Sequence, residues 1–228
     1  MRHIIVTKFS VDDGTGRCND EEWLKDRMKL FKQWTLPSIM GQTVQDFTWI
    51  TYHDETNPQW FKDEMNAIGY DNLKPFFVDR EGWLKNWKTQ WFSEIRKYIE
   101  PGILFTTRID SDDAVRNTYI EMCRDFSQCG SFTQPLTGYM CRDGMVYKRR
   151  YPLNPFATYK EFVGDIYEIE TVNKFQHCHI PSGEMIYTEV PGWIQHAHEN
   201  TGWNKFTIVE DSDWIPLDDV KKDFNICV

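Results

Sequence analysis

The segment Ile103-Leu104-Phe105-Thr106-Thr107-Arg108-Ile109-Asp110-Ser111-Asp112-Asp113-Ala114-Val115 runs from apolar residues straight into three carboxylates. The apolar part reads as a buried strand, and acidic side chains crowded at its end repel one another. The usual relief is a divalent cation, because hard metals such as Mg²⁺ and Mn²⁺ take carboxylate oxygens. In open α/β sheets ligands collect outside the carboxyl ends of the strands, which is where this cluster falls. A plainer reading stands beside it: Ser111 or Asp112 caps a helix over residues 114–126.

Working outward, residues 3–10 read as a buried first strand and residues 11–19 as a polar loop. Asp20 is the expected cap of a helix that carries Trp23, Leu30, Phe31 and Trp34 on one side and is closed by Pro37. Residues 47–52 read as a second strand ending at His53-Asp54, residues 58–68 as a helix begun by a proline, and residues 75–78 as a third strand. Trp83, Trp87, Trp91, Ile95 and Tyr98 recur at helical spacing, the pattern of a core-facing stripe rather than a sugar-stacking platform. Strand and helix alternate as far as Phe126, which predicts a mainly parallel sheet flanked by helices. Beyond it, residues 136–142 and 145–151 flank Asp143-Gly144, a hairpin signal, and the remainder reads as irregular. The fold expected is α/β, in one domain over residues 1–228.

The net charge of −9 argues against a nucleic-acid surface, which is held mainly by Lys and Arg. An anionic ligand then needs local help, since unit charges about 4 Å apart interact by roughly 4 kcal/mol at an effective dielectric near 20. A bound cation reverses that sign. The cysteines at 18, 123, 129, 141, 178 and 227 form no Cys-x-x-Cys pair, so reduced thiols and a cytoplasmic setting are expected. No apolar run reaches membrane-spanning length, and the one at the N-terminus is too short for the core of a signal peptide.

The alternating half that ends in Asp-x-Asp resembles the GT-A class of glycosyltransferases, and more narrowly the rhamnosyltransferase family. The residues that carry the likeness are Arg27, Phe31, Leu36-Pro37-Ser38 and Gln42, then Phe47-Thr48-Trp49 and Asp54, then Thr107 through Ala114. Asn154-Pro155-Phe156 with Glu161, and Pro191-Gly192-Trp193 with His196, His198 and Asn200, extend it over most of the chain. The resemblance implies a GT-A-like sheet with a donor nucleotide-binding half at residues 1–126 and a more irregular acceptor-binding half at 127–228. It also implies transfer of a sugar, rhamnose by the family label, from a UDP- or dTDP-linked donor to a glycan or other hydroxyl acceptor.

By the same resemblance Asp110 and Asp112 are the Asp-x-Asp pair that holds Mn²⁺ or Mg²⁺. Asp112 is the first-choice ligand, Asp110 lies nearer the ribose or a metal-bound water, and His196 or His198 joins the metal. The end of the first strand, Thr7, Lys8 and Phe9 on to Ser10, and Asp54 after the second would face the nucleotide; Asp54 equally suits a turn. Arg80 and Arg108 are candidates for the donor phosphates, although Arg80 suits a structural ion pair better. An inverting transfer needs a base for the acceptor hydroxyl, and Glu161 and Asp165 rank ahead of Glu168 and Glu170.

Three rivals remain at this stage. A nucleotidyltransferase would show a Gly-rich basic loop after the first strand, of which Asp12-Asp13-Gly14-Thr15-Gly16-Arg17 is a faint version. A metal-dependent hydrolase would use the pairs His177/His179 and His196/His198, which share a face if extended. A carbohydrate-binding module would use exposed aromatic rings.

Overall fold

The structure is a computed structural model and describes residues 1–12, 14–197 and 213–228, the side chain of His177 aside. β1 (Arg2–Ser10) leads to α1 (Glu21–Leu30), whose first turn is capped by Asp20 accepting from Trp23 N at 3.1 Å. Pro37 does not end this helix. The backbone widens into a π-helical turn over Phe31–Thr35 and continues as α2 (Leu36–Met40). Pro37 offers no N–H to the carbonyl of Gln33, and that carbonyl accepts instead from Cys227 N at 3.1 Å. The widened turn thus converts a helix breaker into an attachment point for the C-terminal segment.

The alternation then proceeds through β2 (Thr48–Asp54), α3 (Gln59–Asn66), β3 (Leu73–Val78), α4 (Arg80–Arg96) and β4 (Gly102–Arg108). β1 pairs in parallel with both β2 and β4, and β2 with β3, so the strand order reverses at β1. A reversal of this kind opens a crevice between the carboxyl ends of β1 and β4. Strand alternation feeds two cores. Ile4, Val6, Ile50, Tyr52 and Leu104 pack with Trp83, Trp91 and Ile95 of α4, while Ile5, Phe9 and Trp49 pack with Leu24, Met28 and Phe61 of α1 and α3.

After the acidic loop comes β5 (Ala114–Val115), so the helix expected over residues 114–126 shortens to α5 (Tyr119–Phe126) and the aspartates cap nothing. The second half is more regular than its sequence suggests: β6 (Ser131–Pro135), β7 (Thr137–Arg142), β8 (Met145–Arg150), β9 (Thr158–Val163), β10 (Met185–Thr188), β11 (Trp193–His196) and β12 (Trp214–Pro216). Asp143 and Gly144, with φ of 50° and 75°, form the hairpin turn between β7 and β8. β9 lies antiparallel between β4 and β6, and β10 adds to β6 in parallel, giving one sheet in the order β10-β6-β9-β4-β1-β2-β3. Strands from both sides of residue 126 therefore share it.

The second sheet, β12-β8-β7-β11-β5, sends Met140, Tyr147 and Trp193 into the core built on α1 and α3. Gly138 of β7 lies flat on Trp193, where a Cβ would meet the indole at 2.1 Å. Among the described residues no helix is long and apolar enough to cross a membrane.

His53, at the end of β2, is fully buried among Phe9, Phe61 and Phe77. Ser10 Oγ donates to Asn57, so its contact at 3.1 Å with His53 Nδ1 places the proton on Nδ1, and Nε2 accepts from Thr51 Oγ1 at 2.8 Å. Burial lowers the pKa of His53 to about 3, and that of His3 to about 3 with help from Arg124. Between that value and the unfolded value of about 6.5 the unfolded chain binds the extra protons, so stability falls as the pH drops. We expect His53→Gln to remove about 2 kcal/mol of the stability lost between pH 7 and pH 5. Urea unfolding at both pH values checks this, and an unchanged pH slope refutes a neutral buried imidazole.

Candidate active site

The crevice between β1 and β4 is a cleft of about 280 Å³ lined by Lys8, Trp87, Arg108, Asn173, Phe175, Gln176 and Cys178. Lys8 reaches it from the end of β1, with Nζ 4.4 Å from the centroid of the Trp87 ring and 5.6 Å from that of Trp91. Burial first and then the charge of Arg108 lower the Lys8 pKa to about 8, with Asp110 acting against both. Arg108, at the end of β4, holds Asp110 Oδ1 at 3.3 Å through Nη2. Asn173 brings a buried Nδ2 with no hydrogen-bond partner. Two cations on one cleft are an arrangement that suits an anion.

Beside the cleft, the acidic loop is shaped from α1 and α2. Arg27 Nη1 meets Asp112 Oδ2 at 2.5 Å, with only 13% and 10% of the two side chains exposed. Thr35, in the π-helical turn, donates to the Asp113 carbonyl at 2.8 Å. Ser38 Oγ accepts from Val115 N, while Gln42 donates to the Arg116 carbonyl and accepts from Ile120 N. Asp113 turns inward and accepts from His196 N at 3.0 Å. Burial, then the charges of Asp112 and Asp110, push its carboxyl well above the usual carboxylate range. Arg27, Ser38 and Gln42 are thus the supports of the loop that their helix faces.

The structure sorts the residues singled out from sequence. Lys8 and Arg108 come together at the cleft, and Asp110 is held beside it by Arg108. Thr7 and Phe9 do not: strand alternation turns them to the opposite face, where Thr7 Oγ1 accepts from Trp49 Nε1 and Phe9 packs on Phe31. Asp54 is fully buried and accepts from Thr56 N and Oγ1 in a turn, with Arg80 Nε 3.6 Å away. Arg80 donates to Asp12 at 2.7 and 2.9 Å, as its structural reading anticipated.

Neither ranked base reaches the acidic loop. Glu161 pairs opposite Leu104, roughly 13 Å along the strand from Arg108. Its two oxygens accept from Glu170 N and Thr171 N. Asp165 follows Val163, which pairs opposite Gly102, roughly 20 Å from Arg108, and accepts from Tyr167 N. The His196 ring stacks on Trp34 at 4.5 Å, and His198 and Asn200 lie outside the described residues. Sequence reasoning missed Asn173, Phe175 and Gln176, which no periodicity marks, and assigned Trp87 wholly to the core.

The donor set can be tested against a divalent cation. Among the described residues no three His, Cys, Asp or Glu side chains gather into a closed cage. Mg²⁺-type sites on a diphosphate need only one or two carboxylates, the rest coming from phosphates and water. Asp110, one-third exposed, with Asp112 two residues on, meets that need. A zinc-type site on His196 is not supported by its stacking on Trp34.

These features define an α/β protein with its ligand cleft at the topological switch point of the sheet. Residues 15–205 match the family described as "Putative rhamnosyl transferase", and the chain belongs to that family. No curated protein matches it. Among solved structures, S. aureus TarS 1-349 in complex with UDP is similar at 12% identity with a TM-score of 0.47, over 86% of this chain and 61% of that one. The TarS 1-349 complex with UDP-GlcNAc gives 12% and 0.46, over 88% and 60%. The chain thus spans about three-fifths of those TarS chains.

Removing the Arg27 guanidinium takes from the mostly buried Asp112 carboxylate the cation that it meets at 2.5 Å. We expect Arg27→Met to cost about 3 kcal/mol in urea unfolding, and Arg27→Met with Asp112→Asn to recover a large part of it. Simple additivity of the two changes would dismiss the pair as a support.

Proposed function

We propose that this chain is a GT-A-class glycosyltransferase that binds a nucleotide diphosphate sugar in the β1–β4 cleft and passes the sugar to a hydroxyl of a glycan or glycoconjugate. The observation that carries the reading is the meeting of Lys8 and Arg108 with Asp110 at the switch point. Lys8 and Arg108 bind and neutralise the diphosphate, with charge-assisted bonds that strengthen as it leaves. Asn173 supplies a further donor, and Trp87 and Phe175 keep water from the reacting centre. Asp110 and Asp112 would hold Mn²⁺ or Mg²⁺, which when bound supplies further charge to the departing phosphates. Arg27 holds Asp112 in place for that role. The sugar is rhamnose, on the strength of the family description, and it is carried on UDP or dTDP. A cytoplasmic setting follows from six cysteines without a disulfide framework.

The rivals fare worse on particular contacts. The loop after β1 spends the N–H groups of Gly14 and Gly16 on Asp12, so they are not offered to phosphates as a nucleotidyltransferase would require. Trp83 and Trp91 are core residues, which removes the stacking platform a carbohydrate-binding module would need.

Isothermal titration with UDP and dTDP, with and without Mn²⁺, tests the reading. Binding of at least one nucleotide is expected, strengthened by Mn²⁺, with Asp110→Asn losing at least tenfold of the Mn²⁺-dependent affinity. No binding under any condition overturns it. Lys8 adds a pH signature: its cation is present below its pKa of about 8 and lost above it. Affinity should fall about tenfold from pH 7 to pH 9, and Lys8→Arg should flatten that fall. A profile identical in both proteins would remove Lys8 from the site.

A further inference from the structure

Residues 173–178 form the outer wall of the cleft, and among the described residues they belong to no strand. Their position is set just upstream, where three consecutive backbone N–H groups end on two side chains of the sheet. Glu170 N donates to Glu161 Oε2 at 3.0 Å and Thr171 N to Glu161 Oε1 at 2.9 Å. Val172 N then donates to Thr106 Oγ1 at 2.6 Å. Glu161 on β9 and Thr106 on β4 are close neighbours, since their strands pair Leu104 with Glu161 and Thr106 with Tyr159.

Within this clamp Thr171 adopts φ 61° and ψ 176°. That region is populated almost only by glycine, and a β-branched side chain there is strained. Such a conformation persists only where its surroundings over-determine it. The same residue caps the turn that starts the wall, its Oγ1 accepting from Asn173 N at 3.3 Å. Tyr159 Oη donates to Glu170 at 2.6 Å and Lys174 pairs with Glu170 at 3.1 Å, so the turn is tied down on its outer side as well.

We infer that Glu161 is a positioning residue: by gripping Glu170 and Thr171 it forces the chain through an unfavoured turn and so sets Asn173, Phe175 and Gln176 opposite Lys8 and Arg108. The inference deepens the donor-site reading of the cleft and rests on it for its functional consequence. It also gives the buried carboxylate a use other than proton transfer, since both of its oxygens accept backbone N–H groups at a point roughly 13 Å along the strand from Arg108. Glutamine at this position accepts one N–H and turns its own NH₂ group against the other, so it releases half of the grip.

Amide hydrogen exchange and nucleotide titration on Glu161→Gln test it together, with Thr106→Val as a second variant if the first does not fold. We expect exchange across residues 170–178 to rise at least tenfold while β1 and β2 stay protected, and the dissociation constant of the nucleotide that binds the wild-type chain to rise about tenfold. Unchanged exchange at 170–178, or an even rise through the whole chain, overturns the clamp. Loosened exchange with unchanged nucleotide affinity overturns its role in setting the cleft. If the wild-type chain binds neither UDP nor dTDP while the variant loosens as described, the grip of Glu161 is upheld and the donor reading is what fails.

Discussion

Three carboxylates in four positions are tolerable at the end of β4 because each has a different answer. Arg27 meets Asp112, Arg108 meets Asp110, and Asp113 is turned into the protein onto a backbone N–H, where burial favours its neutral form. Remove any of these and like charges a few ångströms apart repel by several kcal/mol at the dielectric of a partly buried site. The helical run from Glu21 to Met40 serves that arrangement along its length, through Arg27, Thr35 and Ser38, and Gln42 just past its end adds to it. The π-helical turn that places Thr35 is part of the same support, and the C-terminal segment supplies the N–H that its proline leaves out.

Much of the fold was legible where its signals are local. Asp20 before Glu21-Glu22 announces a helix start, Asp143-Gly144 announces a hairpin, and the alternation of Ile4, Ile5 and Val6 announces a strand covered on both faces. The acidic loop was legible too, since it combines a buried strand with charges that need answering. Pro37 misled, as the rule that proline ends a helix holds only when the orphaned carbonyl lacks another donor, and Cys227 is almost the whole chain away. The helix expected from Ala114 misled for a similar reason: Ala114 and Val115 pair with Trp193 and Ile194, a partnership no local pattern displays.

At the site, the alternation of the strand decided more than proximity in sequence. Lys8 was named together with Thr7 and Phe9, yet neighbours on a strand point to opposite faces, and the topology selects Lys8 alone. The wall at 173–178 was out of reach because it is defined by tertiary hydrogen bonds from Glu161 and Thr106 rather than by composition. Glu161 carries a carboxylate suited to a base, and in the fold that carboxylate accepts from Glu170 N and Thr171 N.

The antiparallel insertion of β9 beside β4 has a consequence for biogenesis. A parallel core of β1, β2, β3 and β4 can assemble while the rest of the polypeptide is still being synthesised, but one margin of β4 then stays open, with its hydrogen-bonding groups unanswered, until Thr158–Val163 emerges. Bare strand margins recruit foreign chains, and pairings distant in sequence close slowly. The nascent protein therefore passes through an interval in which the very strand that later presents the acidic loop has an open margin for foreign strands to join.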